Sequence, residues 1–107
     1  MKSVHITIGH NVNGQPVHDT PAVCGKVSEV LGLEAFTAFE CFGMWRGEAE
    51  RSTRIEVCGL TDDEAARVRS MVPALAAELE QEAIMLEVRD DATEFIEPEH
   101  IAAAHVA

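Results

Sequence analysis

The chain has 107 residues, 47% of them apolar, and a formal net charge of −11. That length fits one domain with a small core, and the apolar fraction excludes a disordered chain. The charge excludes direct binding to a phosphate backbone, and no apolar run approaches the ~20 residues that span a bilayer.

The opening residues, Met1-Lys2-Ser3-Val4-His5, lack the apolar segment of a signal peptide, so a cytoplasmic protein is expected. Cys24, Cys41 and Cys58 are widely spaced and form no C-x-x-C pair. They read as buried free thiols rather than a disulfide or zinc site. No metal-ligand spacing and no phosphate-cradling glycine loop is found, so neither metal nor cofactor is expected.

In chain order, Val4, Ile6 and Ile8 alternate with His5 and Thr7, predicting a strand over 4–8 with a polar outer face. Residues 9–19 carry Asn11, Asn13-Gly14 and Pro16, predicting a loop with a tight turn at Asn13-Gly14. A helix follows, capped by Thr20, with Pro21 in its first turn, Val23, Val27, Val30 and Leu31 on one side, and Gly32 as its stop.

A second strand is predicted over 33–45, a polar turn over 46–50, and a returning strand over 51–59. The second strand holds Phe36, Phe39, Phe42 and Trp45, four of the chain's five aromatic residues. Strand side chains alternate, so either choice of core face leaves two rings on the other. Thr61-Asp62-Asp63-Glu64 is a capping box opening a helix with the stripe Ala65, Val68, Val72, Leu75, Ala76 and Leu79, in which Pro73 sits. Ile84, Leu86 and Val88 predict a fourth strand ended by Asp90-Asp91. Beyond it, a short extended piece over 93–96 and a helix from Pro98 are expected.

The order strand, helix, strand, strand, helix, strand predicts an α+β, ferredoxin-like βαββαβ domain. Its four-stranded antiparallel sheet has 4–8 and 53–57 at the centre and both helices on one face. The core spans about 3–90, with a tail over 91–107.

Ile6-Thr7-Ile8-Gly9, Gly14-Gln15-Pro16-Val17, Phe36-Thr37-Ala38 and Gly43-Met44-Trp45, with Glu50 and Ser52 beyond, resemble a family of small uncharacterised bacterial proteins. That family has a strand ending in glycine, a Gly-x-x-Val loop and a Gly-x-Trp strand end. The resemblance covers residues 4–60 and lacks the aromatic of the family's first strand. It implies a ferredoxin-like fold and no known activity. The layout is also similar to dimeric α/β-barrel proteins, whose functions are too varied for the fold to select one.

The ligand or interface candidates are Phe36, Phe39, Phe42, Met44, Trp45, Arg46, His5, His10 and His18. Trp45-Arg46 between Gly43 and Gly47 can line a pocket or anchor an interface, against the simpler reading of a core Trp with a solvated Arg. His10 and His18 bracket the turn-rich loop and can converge with Asp19, but exposed loop histidines are the ordinary reading. His100 and His105 read as an ordinary surface tail. No nucleophile motif stands out. Glu78, Glu80, Glu82, Glu87, Asp90, Asp91, Glu94, Glu97 and Glu99 make an acidic stretch, ordinarily a solvated face.

These features favour a non-catalytic binding or assembly module, a homodimer paired sheet to sheet. One alternative is an acidic inhibitor of a basic or nucleic-acid-handling protein, of the type phages use against host defences. The other is a small enzyme of the dimeric barrel type with the named histidines, Trp45 or Arg46 at its cavity. No membrane partner is expected.

Overall fold

A computed structural model describes residues 1–99. Its elements are β1 (Lys2–Gly9), β2 (Asn11–Val12), β3 (Gln15–Pro16), α1 (Thr20–Leu31), β4 (Thr37–Trp45), β5 (Glu48–Leu60), α2 (Asp62–Glu78) and β6 (Met85–Asp90). The main sheet is antiparallel, ordered β4-β5-β1-β6, with β2 and β3 forming a separate hairpin. The α+β, ferredoxin-like layout is therefore as expected, with β1 and β5 at the centre. The predicted tail helix, with His100 and His105, lies outside the described residues. Among those residues no helix is long and apolar enough to cross a membrane.

Parity on β1 and β5 divides the sheet. Val4, Ile6 and Ile8 pair with Val57, Ile55 and Thr53, and the apolar members are buried against Val23, Val27 and Leu31 of α1 and Val68, Val72 and Leu75 of α2. The opposite parity, His5, Thr7 and Gly9 with Glu56, Arg54 and Ser52, faces away from the helices. One face is thus core, and the other is a polar floor carrying Phe39 and Trp45 from β4.

Several boundaries differ from expectation, each for a local reason. Asp19, not Thr20, caps α1, accepting from Ala22 N at 2.9 Å, because the Thr20 hydroxyl is drawn to the Thr53 hydroxyl at 2.8 Å. Gly32 ends α1 in the left-handed region as predicted, and α2 opens on the Thr61–Glu64 capping box and continues through Pro73. Residues 33–36 are not strand: Leu33 and Phe36 pack on the core edge, and pairing starts at Thr37. Asn13 and Gly14, both at positive φ, make the tight turn of the β2–β3 hairpin. The β4–β5 turn is only Arg46-Gly47, at φ 49 and 81, so Glu48, Ala49 and Glu50 belong to β5. The thiols are free, but none is buried: Cys24 and Cys41 are half-buried and Cys58 is exposed.

His10 is buried, and its Nε2 lies 2.7 Å from the Thr53 hydroxyl. Burial lowers its pKa from 6.5; Glu40, Asp19 and Glu50 pull the other way, and His18 adds to the lowering. The unfolded chain therefore holds a proton that the folded chain refuses in the window just below pH 6.5. Stability from this group is complete above that window and is lost as pH falls through it. Thermal melts from pH 7.5 to 5.5 should show a falling midpoint, and His10→Gln should flatten the decline. An equal slope in both proteins would contradict this.

Candidate active site

The site forms where β1 leaves the sheet. Its pairing to β5 ends at Gly9–Ser52, and His10 N still donates to Arg51 O at 2.9 Å before the chain turns into the β2–β3 hairpin. Beyond that point β4 and β5 continue as a two-stranded arm. The Glu50 side chain lies in the gap so opened. Its Oε2 accepts from Asn11 N at 3.2 Å, and its carboxylate lies over Gly9 so closely that a Cβ there would fall 2.5–2.7 Å from its atoms. Gly43, opposite Glu50 in register, leaves the floor beside it open.

A cleft of about 730 Å³ stands over this floor, within the range of small-molecule sites. β1 contributes Thr7 and Gly9, the β2–β3 hairpin Asn11 and Asn13, and the β4–β5 arm Met44, Trp45, Arg46, Glu48 and Glu50. The turn after α2 supplies Glu80, Gln81, Glu82 and Ile84, with Met85 of β6 beside them. Glu80, at φ 52, closes that turn, with Gln81 N bonded to Ala76 O at 2.9 Å. Gln81 Nε2 then ties it to the Asn11 carbonyl at 3.1 Å. Across the mouth, Glu82 Oε2 accepts from Trp45 Nε1 at 3.2 Å and faces Arg46 Nε at 3.6 Å, while the Arg46 guanidinium lies 5.6 Å from the indole centroid. Four carboxylates thus face one guanidinium among the described lining residues. Such a cleft attracts cations.

Next to the cleft on the same face, Arg54 is only 18% exposed and holds a polar network. It donates to Thr7 Oγ1 at 3.1 Å, His5 Nδ1 at 3.0 Å, Glu56 at 3.3 Å and Glu87 at 3.1 Å. Arg89 first, and Arg54 with it, holds the Glu87 carboxyl below its ordinary pKa. His5 Nε2 lies 3.1 Å from the Ser3 hydroxyl, which donates to Asp91.

The structure scatters the predicted residues. Met44, Trp45 and Arg46 meet in the cleft. Phe36 packs on the core, Phe39 is exposed on the polar floor, and His5 belongs to the Arg54 network. Phe42, His10 and His18 border a smaller pocket of about 310 Å³ at the sheet end. There the histidines are bound separately, His10 to Thr53 and His18 Nε2 to Leu79 O at 2.8 Å. No group of three metal-ligating side chains occurs among the described residues. Of the acidic stretch, Glu80 and Glu82 line the cleft, Glu78 pairs with Lys26, Glu87 with Arg54 and Arg89, and Asp90 with Lys2. Glu94, Glu97 and Glu99 are exposed in the segment after β6. Sequence reasoning did not identify Thr7, Glu48 or Glu50 as site residues, although Thr7, Gly9 and Glu50 stand among the residues of the family resemblance.

No family model matches the chain, and no curated protein does. Among solved structures, a phage SAM lyase in its apo state matches at TM-score 0.65 and 21% identity, covering 90% of this chain and 92% of that one. A phage SAM lyase in complex with S-methyl-5′-thioadenosine matches at TM-score 0.60 and 20% identity, covering 83% and 80%. A de novo designed protein, Foldit4, matches at TM-score 0.51 and 12% identity, covering 85% and 98%. At these identities the likeness is one of fold.

These matches correct the expectation of a non-catalytic module and favour the alternative of a small enzyme. Two solved structures with this layout are of an enzyme, one with a nucleoside bound. The missing nucleophile motif is therefore no argument against catalysis.

Gly9→Ala should push the Glu50 carboxylate out of its gap. The contact is with the far end of a side chain, so stability should change by less than about 1 kcal/mol. The Asn11 N–H would lose its acceptor, and its hydrogen exchange should accelerate about tenfold. Unchanged exchange at Asn11 would show that the carboxylate is not seated there.

Proposed function

We propose that the protein is a lyase acting on SAM, S-adenosylmethionine, and releasing S-methyl-5′-thioadenosine. The observation that carries this reading is the acid-lined, ring-walled cleft over Gly9, in a chain sharing the fold of phage SAM lyase. The substrate carries a sulfonium and an ammonium, and Glu48, Glu50, Glu80 and Glu82 supply the opposite charge. Trp45 offers a flat apolar surface for the purine.

The chemistry divides the roles. When the bond between sulfur and Cγ of the methionyl chain breaks, its electron pair stays on sulfur, and the departing thioether is neutral. The remaining four-carbon fragment completes its valence by closing its own carboxylate oxygen onto Cγ, giving a lactone with no proton released. The alternative is loss of a Cβ proton to give an alkene. Lactone closure needs no protein nucleophile.

Positive charge on sulfur fades toward the transition state. A carboxylate held against sulfur would stabilise the substrate more than the transition state and slow the reaction. Glu50 therefore serves at the ammonium, which keeps its charge throughout, and fixes the chain for attack. The negative cleft takes in a cation and loses its hold on the neutral thioether product. This reading places the enzyme in the cytoplasm, where the substrate is made.

Purified protein incubated with S-adenosylmethionine should yield S-methyl-5′-thioadenosine on chromatography. Glu50→Gln, which keeps shape and loses charge, should reduce the rate about a hundredfold. Recovery of the substrate intact would overturn the reading, and equal rates in both proteins would overturn the role of Glu50.

A further inference from the structure

The cleft is acidic, yet the methionyl end of the proposed substrate is a zwitterion whose carboxylate must also be met. Thr7 is placed to meet it. Its Oγ1 accepts from Arg54 Nη1 at 3.1 Å. A guanidinium only donates, so that bond occupies a lone pair of the hydroxyl and leaves its hydrogen free. No other protein group takes that hydrogen among the described residues, and Thr7 lines the cleft. Arg54 is itself held by Glu56, Glu87 and His5, so it keeps its geometry without a ligand. The hydroxyl therefore turns toward the cleft as a hydrogen-bond donor beside a set of carboxylates that can only accept.

Spacing supports the pairing. Thr7 and Gly9 stand two residues apart on one strand face, about 6.6 Å, and the Glu50 carboxylate lies over Gly9. The N–Cα–C unit of an amino acid is about 2.5 Å across. A hydrogen bond of about 2.8 Å at each end extends its reach to about 8 Å, enough to bridge the two groups when bent. We propose that Thr7, oriented by Arg54, donates to the substrate carboxylate while Glu50 receives the ammonium, so that the cleft selects the α-amino-acid end of its substrate. This rests on the reading of the protein as a SAM lyase. Thr7 is a specificity-determining residue, and Arg54 is a positioning residue acting through it.

In lactone closure, one carboxylate oxygen attacks Cγ and the other becomes the lactone carbonyl. That second oxygen stays an acceptor, but the carboxylate's charge is lost as the ring closes, so the Thr7 bond weakens toward the transition state. Its loss should raise KM without lowering kcat.

The test compares wild type, Thr7→Val and Thr7→Ser by KM and kcat for S-adenosylmethionine, and by calorimetric Kd for S-methyl-5′-thioadenosine, which has no carboxylate. Thr7→Val should raise KM about tenfold, the range for a hydrogen bond to a charged group. It should not lower kcat, it should leave the thioether Kd within about twofold, and Thr7→Ser should bring KM back toward that of the wild type. A Kd that worsens in step with KM, or an unchanged KM, would overturn the role of Thr7 while leaving the lyase reading intact. A wild type that neither turns over the sulfonium substrate nor binds the thioether would overturn both.

Discussion

The arrangement depends on β1 stopping short of β5. At Gly9 the central strand turns away, and the β4–β5 arm continues with one side uncovered. A carboxylate occupies that space because position 9 has no side chain and because the departing backbone offers the Asn11 N–H as donor. One Glu50 oxygen is thereby held, and the other has no protein partner among the described residues. The hairpin after Gly9, the arm beyond it and the turn after α2 then converge on one gap. Gln81 ties the turn to the hairpin, and Glu82 ties it to the arm.

The local grammar of the chain was readable: alternation at 4–8, the Asn13-Gly14 turn, Gly32, and the capping box at Thr61. Those features placed the sheet centre and the helix-covered face, because period and capping are properties of neighbouring residues. The arm was misjudged. Glu48-Ala49-Glu50 resembles a turn because glutamate is poor strand material. It pairs as strand because the true turn is tight, with Arg46 in a conformation usually left to glycine. That error hid Glu50 from the site. The cleft draws on segments from Thr7 to Met85, and no spacing rule reports a meeting over such separations. The extra aromatic rings were noticed correctly, since Phe39, Phe42 and Trp45 are all exposed. Their dispersal over both sheet faces is what the pattern could not order.

The fold alone is permissive. A designed protein shares it as well as an enzyme does, so any activity resides in what is placed on the sheet. Here that is a sharply polarised floor: one end presents carboxylates, and the other presents a hydroxyl backed by a guanidinium. This division, more than the net charge of −11, is what suits the chain to a small zwitterionic cation.

Trp45 is the only tryptophan, and the chain has no tyrosine, so indole emission reports on the cleft alone. Titrating that emission with S-methyl-5′-thioadenosine is the most direct measurement. The account predicts a saturable change that Gly43→Val, by filling the floor beside Trp45, abolishes. A non-saturable response, or one that survives that substitution undiminished, would contradict the placement of a nucleoside site against Trp45.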